Sequence, residues 1–356
     1  MRAGTKLETA TADVDVQDMK TSQFPFSIIT GETISRLIDE DLAGCVDVVR
    51  DAYLEHAEGR SVNPQSVFLR FQDRPNARII ALPSHLTSPS AVSGLKWVAS
   101  YPDNVRRDLP RASAVLLLNS HEHGYPFACL EGSIISAART AASAVVAAFH
   151  LSDGSRRARA LGIVGTGLIA RYVYRFLLGT HWEIENVHLF DIEQGRAAQF
   201  ASRVCEPGRH AGIQVSPDLA SLLTECDLIL FATVASRPHV HDPRLIEHAP
   251  LILHISLRDL APELLLDACN IVDDVDHVMQ ADTSPHLAEQ MTGTRSFVTG
   301  TLAEVVRRQC TIDRTRPVIF SPFGLGVLDL AVGKWVYDRA VAAGSHQVIK
   351  DFFYDE

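Results

Sequence analysis

A chain of 356 residues is long enough for two domains of ordinary size, and 46% hydrophobic with 21% charged residues is the composition of a globular protein, which excludes wholesale disorder. A formal net charge of −10 argues against a nucleic-acid partner and against an anionic membrane surface, since either needs a dominant basic face. The six cysteines (Cys45, Cys129, Cys205, Cys226, Cys269 and Cys310) form no C-x-x-C pair and lie near no histidine at metal-ligand spacing. Reduced thiols in a cytoplasmic protein are therefore expected, with no disulfide framework and no metal site.

The first 23 residues are polar and lack the apolar run of a signal peptide, so a tail is expected over residues 1–25. Apolar stretches such as 141–149 are too short to span a bilayer. A short strand at Ile28-Ile29 is followed by a helix through Ile34, Leu37 and Ile38, capped by Thr30 or Glu32, and by a second helix over 42–58 that Gly59 ends. Strand-like runs at 66–71, 78–82, 93–100, 112–119 and 126–130 suggest an antiparallel sheet, and 133–151 reads as a long Ala-rich helix, apolar around most of its circumference. After Gly154 strands at 160–164, 186–190, 213–215, 228–233, 251–255 and 270–272 alternate with helices at 168–179, 194–204 and 219–224, the pattern of a doubly wound parallel sheet. A strand at Ile319-Phe320, a loop over 321–326 and a helix over 327–343 follow. The expected fold is α/β: a Rossmann-type nucleotide-binding domain over 153–326, and an α+β domain for substrate binding and dimerisation over 26–152 with 327–356.

Gly165-Thr166-Gly167-Leu168-Ile169-Ala170 follows the apolar strand and opens a helix. Gly165 permits the tight turn, Gly167 lets a pyrophosphate approach the helix N-terminus at Leu168 and Ile169, and Ala170 is small enough for helix–strand packing. Asp191, at the end of the next strand, would accept hydrogen bonds from a ribose diol and repel a 2′-phosphate, so NAD is expected rather than NADP, although Arg196 lies nearby. Thr233-Val234 ends a parallel strand where the chain commonly passes the nicotinamide; an ordinary strand end is the plainer reading.

Outside this half, Lys96 sits inside an apolar strand and Arg139 inside the Ala-rich helix. Such placements are costly unless the charge is paired. Holding a substrate carboxylate would account for both, and so would a salt bridge between structural elements. Arg70 and Arg78 are weaker candidates for the same role, since arginine on a half-exposed strand is common. Asp259 follows an apolar strand and would stand at its C-terminal edge, suited to a general base, or else cap a helix ahead of Pro262. Among His85, His121, His123 and His254, structural roles are the commoner case; His85, after Pro83-Ser84, is the candidate for a functional one.

The Lys96 strand, Ala138-Arg139-Thr140-Ala141-Ala142, Gly165-Thr166-Gly167, Ser256 to Asp259, and Gly324-x-x-x-x-Asp329 together resemble the ornithine cyclodeaminase/μ-crystallin family, in an order that covers nearly everything from residue 26 onward. The resemblance implies that Lys96 and Arg139 bind the substrate carboxylate, that Asp259 and Lys96 are catalytic and that Arg70 is a second carboxylate ligand. It further implies that Thr140, Ser256 and Gly324 belong to the cofactor site and that a homodimer forms through the first domain's sheet.

Residues 78–85, 93–97, 111–113, 131–136 and 272–274 resemble a branch of that family serving siderophore pathways. That resemblance implies NAD-dependent oxidation of N-(2-amino-2-carboxyethyl)-L-glutamate at the glutamate Cα–N bond, then hydrolysis of the imine to 2-oxoglutarate and L-2,3-diaminopropionate. Cyclodeaminases carry an acid a few positions before the proline that here is Pro83. This chain has Ile80-Ala81-Leu82 instead, which weighs against a cyclodeaminase or a ketimine reductase. A carrier that binds nucleotide without turnover would have no need of Asp259 beside a nicotinamide.

Overall fold

The computed structural model describes residues 24–87, 91–107 and 109–353. The tail expected over 1–25 lies outside the described chain apart from its last two residues, where Phe24 stacks on Tyr125 with ring centroids 4.4 Å apart.

In chain order the first half comprises β1 (Phe26–Ile29), α1 (Gly31–Asp39), α2 (Leu42–Ala57), β2 (Ser61–Val62), β3 (Val67–Phe71), β4 (Arg74–Leu86), β5 (Val92–Ser100), β6 (Ala112–Ser120), β7 (Pro126–Glu131) and α3 (Gly132–Leu151). Thr30 caps α1, whose Ile34, Leu37 and Ile38 are buried on one stripe, and the Asp41 carboxylate caps α2 through the Gly44 amide at 2.8 Å. The second half comprises β8 (Arg157–Val164), α4 (Leu168–Gly179), β9 (Glu183–Phe190), α5 (Gln194–Arg203), β10 (Gly212–Val215), α6 (Leu219–Glu225), β11 (Leu228–Phe231), β12 (Leu251–His254), α7 (Pro262–Leu266) and β13 (Cys269–Val272). It continues with α8 (Val275–Val278), α9 (Ser284–Thr292), β14 (Val298–Thr301), α10 (Leu302–Val306) and β15 (Val318–Ser321), before α11 (Gly326–Ala342) and β16 (Gln347–Ile349).

The strands form two sheets. The first runs β16-β1-β7-β6-β5-β4-β2, with β3 also on β4; it is antiparallel except where β1 lies parallel to β7. The second runs β10-β9-β8-β11-β12-β15-β13-β14, every pair parallel. Chain order reverses between β8 and β11, the switch point at which doubly wound sheets take their ligands.

Three expectations are corrected. The strand read at 78–82 extends over 74–86, because pairing with β5 carries it through Pro83 to Leu86 and pairing with β3 reaches back to Arg74. The edge strand β14 and helix α9 have no periodic apolar signal and were not anticipated. α3 has the length and apolar composition of a membrane span, which the stretch 141–149 understated. It is instead a core helix: its alanines and valines let α2, α4, α11, β6 and β12 all approach it, so it joins the two sheets.

Strand alternation then sorts the side chains. Lys96 opposes Leu82 and Leu116, Arg78 opposes Arg70 and Ser100, and the unbroken β4–β5 register puts Arg70, Arg78 and Lys96 on the inner face. Trp97, Val115, Leu69 and Val67 point outward and are exposed.

Gly94 in β5 has a packing requirement: a Cβ there would lie 2.2 Å from the Leu117 carbonyl oxygen and 2.6 Å from Leu330 Cδ2. Gly94→Val is expected to lower stability by about 1–3 kcal/mol or more, read as a fall in the urea midpoint. An unchanged midpoint would contradict this packing.

Candidate active site

At the end of β8, Gly165 has φ +84°, and a Cβ there would stand 2.8 Å from the Ala232 carbonyl oxygen, so only glycine lets the turn pass β11 this closely. Its amide donates to the Phe190 carbonyl at 2.8 Å, tying the turn to β9. Gly167 is the N-cap of α4, with no side-chain cap and nothing within 4 Å of the position its Cβ would take. The first amides of α4, from Leu168 and Ile169, therefore face open space, as a pyrophosphate requires, while Ala170 is buried against the sheet. Asp191 Oδ2 accepts from the Thr166 amide at 2.9 Å and its hydroxyl at 2.8 Å, which fixes the carboxylate beside the turn and leaves it half-buried. The donor set fits NAD: amides toward phosphate, one carboxylate toward a ribose diol.

Across the switch point, Asp259 is fully buried. Its Oδ1 accepts from the Thr233 hydroxyl at 2.5 Å and His239 Nε2 at 3.0 Å, and its Oδ2 from the Ser256 hydroxyl at 2.5 Å. Burial pushes this carboxyl up, but the hydrogen bond from His239, the contact with His254 and the Ser256 hydroxyl outweigh it and hold the group well below the usual carboxylate range. His254 Nε2 lies 3.0 Å from the Asp259 amide and 3.4 Å from its Oδ2, and Nδ1 lies 3.2 Å from the Ser321 hydroxyl. Asp259, expected as a general base, thus stands at the predicted strand edge as a buried carboxylate with donors on both oxygens. Thr233 and Ser256, expected at the cofactor, turn their hydroxyls to this carboxylate; Val234 is 70% exposed.

Lys96 and Arg139 meet at one acid. Lys96 Nζ donates to Asp329 Oδ2 at 2.6 Å and to the Ser136 hydroxyl at 3.3 Å, and Arg139 Nε donates to Asp329 Oδ1 at 3.4 Å. The salt-bridge reading of both residues is therefore present, and the triad of β5, α3 and α11 carries one uncompensated positive charge. Gly324, with φ +98°, lies against the Arg139 guanidinium: a Cβ would be 2.7 Å from its Nη1. The Gly324 amide donates to buried Asp273 at 2.6 Å, so this glycine shapes the arginine's seat. Thr140 gives its hydroxyl to the Ser136 carbonyl at 2.7 Å and is turned into its own helix.

A second cationic group comes from strand ends. Arg70 and Arg78 are cross-strand partners, Arg111 precedes β6, and Arg258 precedes Asp259. Burial lowers the Arg78 pKa, and the nearby charges of Arg111, Arg258 and Arg70 lower it further. Among the described residues none of the four has a carboxylate partner, and Nε of Arg78 and of Arg111 is buried without any hydrogen bond. Leu257 adopts φ +77° just before Arg258, a strained conformation for leucine at the strand end that bears the acid. His85 is not in this group. Its strand position has the opposite parity, so it faces outward, bonds Ser93 at 3.0 Å and packs on His121.

The model of the ornithine cyclodeaminase/μ-crystallin family matches residues 33–344. The chain belongs to this family. Among relatives in it, the N-((2S)-2-amino-2-carboxyethyl)-L-glutamate dehydrogenase of Staphylococcus aureus is 29% identical over 306 residues, 83% of this chain and 89% of its own. The alanine dehydrogenase of Archaeoglobus fulgidus is 30% identical over 336 residues, 91% and 98% of the two chains. Among solved structures, an archaeal alanine dehydrogenase dimer with bound NAD superposes with a TM-score of 0.81 at 27% identity, covering 92% of this chain and all of that one. The Thermococcus litoralis Δ1-pyrroline-2-carboxylate reductase with NADH and L-proline, at 24% identity and a TM-score of 0.83, covers 91% of this chain and all of its own, and likewise has the family fold.

Arg111, Arg258, His239 and the role of Asp329 as partner were missed at the level of sequence. Arg258 adjoins the predicted aspartate and Asp329 closes a noted motif, so their positions were visible; Arg111 and His239 carried no local signal.

The triad has a pH signature. Burial, with the Arg139 charge, pulls the Lys96 ammonium down to about 8 against the opposing pull of Asp329. Between about 8 and the ordinary lysine value of 10.5, the unfolded chain binds a proton that the folded one does not, so Lys96 makes stability rise with pH through that window. Urea denaturation of Lys96→Met at both ends of the window should show that contribution gone; an unchanged slope would refute the assignment.

Proposed function

We propose that this protein oxidises N-(2-amino-2-carboxyethyl)-L-glutamate with NAD at the glutamate Cα–N bond and hydrolyses the resulting imine to L-2,3-diaminopropionate and 2-oxoglutarate. The coarser statement is that the chain is an NAD-dependent oxidoreductase of its family. The phosphate turn, Asp191, and relatives and neighbours described as dehydrogenases and reductases or as complexes with NAD or NADH all support it.

The observation that carries the finer reading is the cluster of Arg70, Arg78, Arg111 and Arg258, together with the residual positive charge at Arg139. Four guanidinium groups gathered with no acid among the described residues repel one another, and two of them hold a buried Nε unsatisfied, a cost that an anionic ligand removes. An amino acid with one carboxylate needs one such group. A substrate with three carboxylates needs several, and the bidentate fork of arginine suits each of them. The S. aureus relative's name is that of a dehydrogenase for this tricarboxylate. An ornithine or lysine substrate would bring two ammonium groups and only one carboxylate to the four cations, where the tricarboxylate brings three carboxylates.

In this reading Arg258, beside Asp259, holds the carboxylate nearest the redox centre, and Arg70, Arg78 and Arg111 hold those on the first domain's side. Arg139 offers its outer guanidinium nitrogens from the helix that joins the sheets. Several charge-assisted contacts on rigid strands fix the Cα–H in one orientation, which makes its transfer effectively unimolecular. NAD, when bound at the Gly165 turn, accepts the hydride.

The assembly reading is a homodimer through the outer face of the first sheet, where Val67, Leu69, Trp97 and Val115 leave an apolar patch exposed. Six free cysteines support a cytoplasmic setting, and the negative net charge supports a small-molecule partner rather than nucleic acid or a membrane.

NADH absorbance with the synthetic tricarboxylate, and with alanine, ornithine and lysine in parallel, tests the substrate. NADH and 2-oxoglutarate are expected from the first alone; turnover of alanine or ornithine instead would overturn the reading. Arg78→Ala and Arg258→Ala should each weaken transition-state binding by about 2–5 kcal/mol, seen mainly as a rise in KM for the tricarboxylate. Equilibrium sedimentation should give twice the chain mass, and Trp97→Asp should give a monomer; a monomeric wild type sinks the dimer.

A further inference from the structure

We propose that His239 is the proton-transfer group of the reaction and that Asp259 acts only through it, as the buried anion that fixes its tautomer. The proposal rests on the substrate site argued above. A mechanism that breaks a secondary amine needs a base twice, once for the substrate ammonium and once for the water that adds to the imine. Asp259 cannot supply it, for its carboxylate is buried and all its near donors are engaged. His239 can. Its side chain is 38% exposed, Nε2 donates to Asp259 Oδ1 at 3.0 Å, and Nδ1 has no partner among the described residues.

The ring is held in place by backbone as well as by the carboxylate. The amides of His239 and Val240 both donate to the Asp259 carbonyl at 2.9 Å, and Val240 bridges Leu260, so the loop bearing the imidazole is bonded to the segment bearing the acid. Thr233, which shares Asp259 Oδ1 with the imidazole, ends the β11 segment that packs against the Gly165 turn. The bare nitrogen therefore stands at the C-terminal edge of the parallel sheet, on the cofactor side of the switch point. The charged and titratable groups around it are Asp259 beneath the ring, His254 behind that carboxylate, Arg258 next to Asp259 along the chain, and Arg237 and His241 on its own loop. With an ionised carboxylate accepting from Nε2–H, the proton sits on Nε2 and Nδ1 keeps its lone pair outward.

The protons and bonds balance as follows. His239 Nδ1 takes one proton from the secondary ammonium and passes it to solvent, which frees the nitrogen lone pair to form the C=N bond as the Cα hydride departs. A water then adds to that carbon, its C–O bond forming while Nδ1 takes the water proton. The same proton returns to the amine nitrogen; the C–N bond then breaks as the carbinolamine hydroxyl gives its own proton to Nδ1, which passes it to the departing amine. The products are the 2-oxo acid and a primary ammonium, with one hydride transferred and one proton released. Asp259 stays ionised throughout and stabilises the imidazolium.

Two readouts test the assignment on the full-length enzyme. Nitrogen NMR of the imidazoles in the NADH complex, with His239 identified by its loss in His239→Gln, should give a protonated Nε2 and a bare Nδ1, and Asp259→Asn should abolish that fixed state. In steady-state assays His239→Gln should lower kcat by about 100- to 1,000-fold and remove the acid limb of the kcat/KM profile, with the Kd for NADH within threefold of the wild type. A kcat within threefold and an unaltered pH profile, or a bare Nε2, overturns the proposal. If the wild type turns over alanine or ornithine instead of the tricarboxylate, the substrate reading fails, and the same variant comparison on that amino acid decides the role of His239.

Discussion

Asp329 is the constraint on which the rest of the architecture depends. One fully buried carboxylate on α11 takes the Lys96 ammonium from β5 and the Arg139 guanidinium from α3. Those three elements belong to the sheet, to the helix closing the chain, and to the helix that touches both sheets. Removing any one charge would leave others buried and uncompensated, which costs far more than the intact group contributes. The triad thus fixes how α11 returns over the first sheet after β15, and with it the Ser321–Gly326 loop whose amides Asp273 gathers. Because the triad has two cations to one anion, it also leaves a charge for a ligand. The same group that registers the elements gives the cleft its sign.

Asp259 uses the same device with the opposite sign. There a buried anion collects neutral donors, Thr233, Ser256 and His239, from loops that the sheet alone would not hold together. The acid is stable where it is because the donors come to it, and the strained Leu257 is the local cost of bringing the strand end round. Arg258 directly precedes this anion along the chain and, with Arg70 and Arg111, lies within electrostatic reach of Arg78. Among the described residues these two carboxylates are paired while the arginines around Arg78 have no carboxylate partner, and the tricarboxylate proposal rests on that contrast.

How much of this was legible in the sequence depended on range. Helix caps, the phosphate turn and the parallel strands are local, and Thr30, Gly165 and the 160–164 run announced them. Lys96 and Arg139 were visible as charges in apolar surroundings, but whether each served a ligand or a salt bridge turned on Asp329, more than 180 residues away in sequence. His85 was misplaced because one residue of strand parity separates the inner face from the outer, and parity needs the register with β5. Arg111 and Arg258 look ordinary until cross-strand pairing and the switch point bring them to Arg78.

The role of Asp259 turns on solvation as well as on position. Sequence position put a carboxylate at the catalytic edge, and that position is where it stands. Position does not report solvation. A carboxylate that is to accept protons must have its charged form disfavoured, by burial without donors or by a neighbouring acid; this one is buried with donors on both oxygens, which does the reverse. On the proposal made above the chemistry passes to a neighbour, and among the described residues the imidazole that donates to Asp259 and reaches solvent is that of His239.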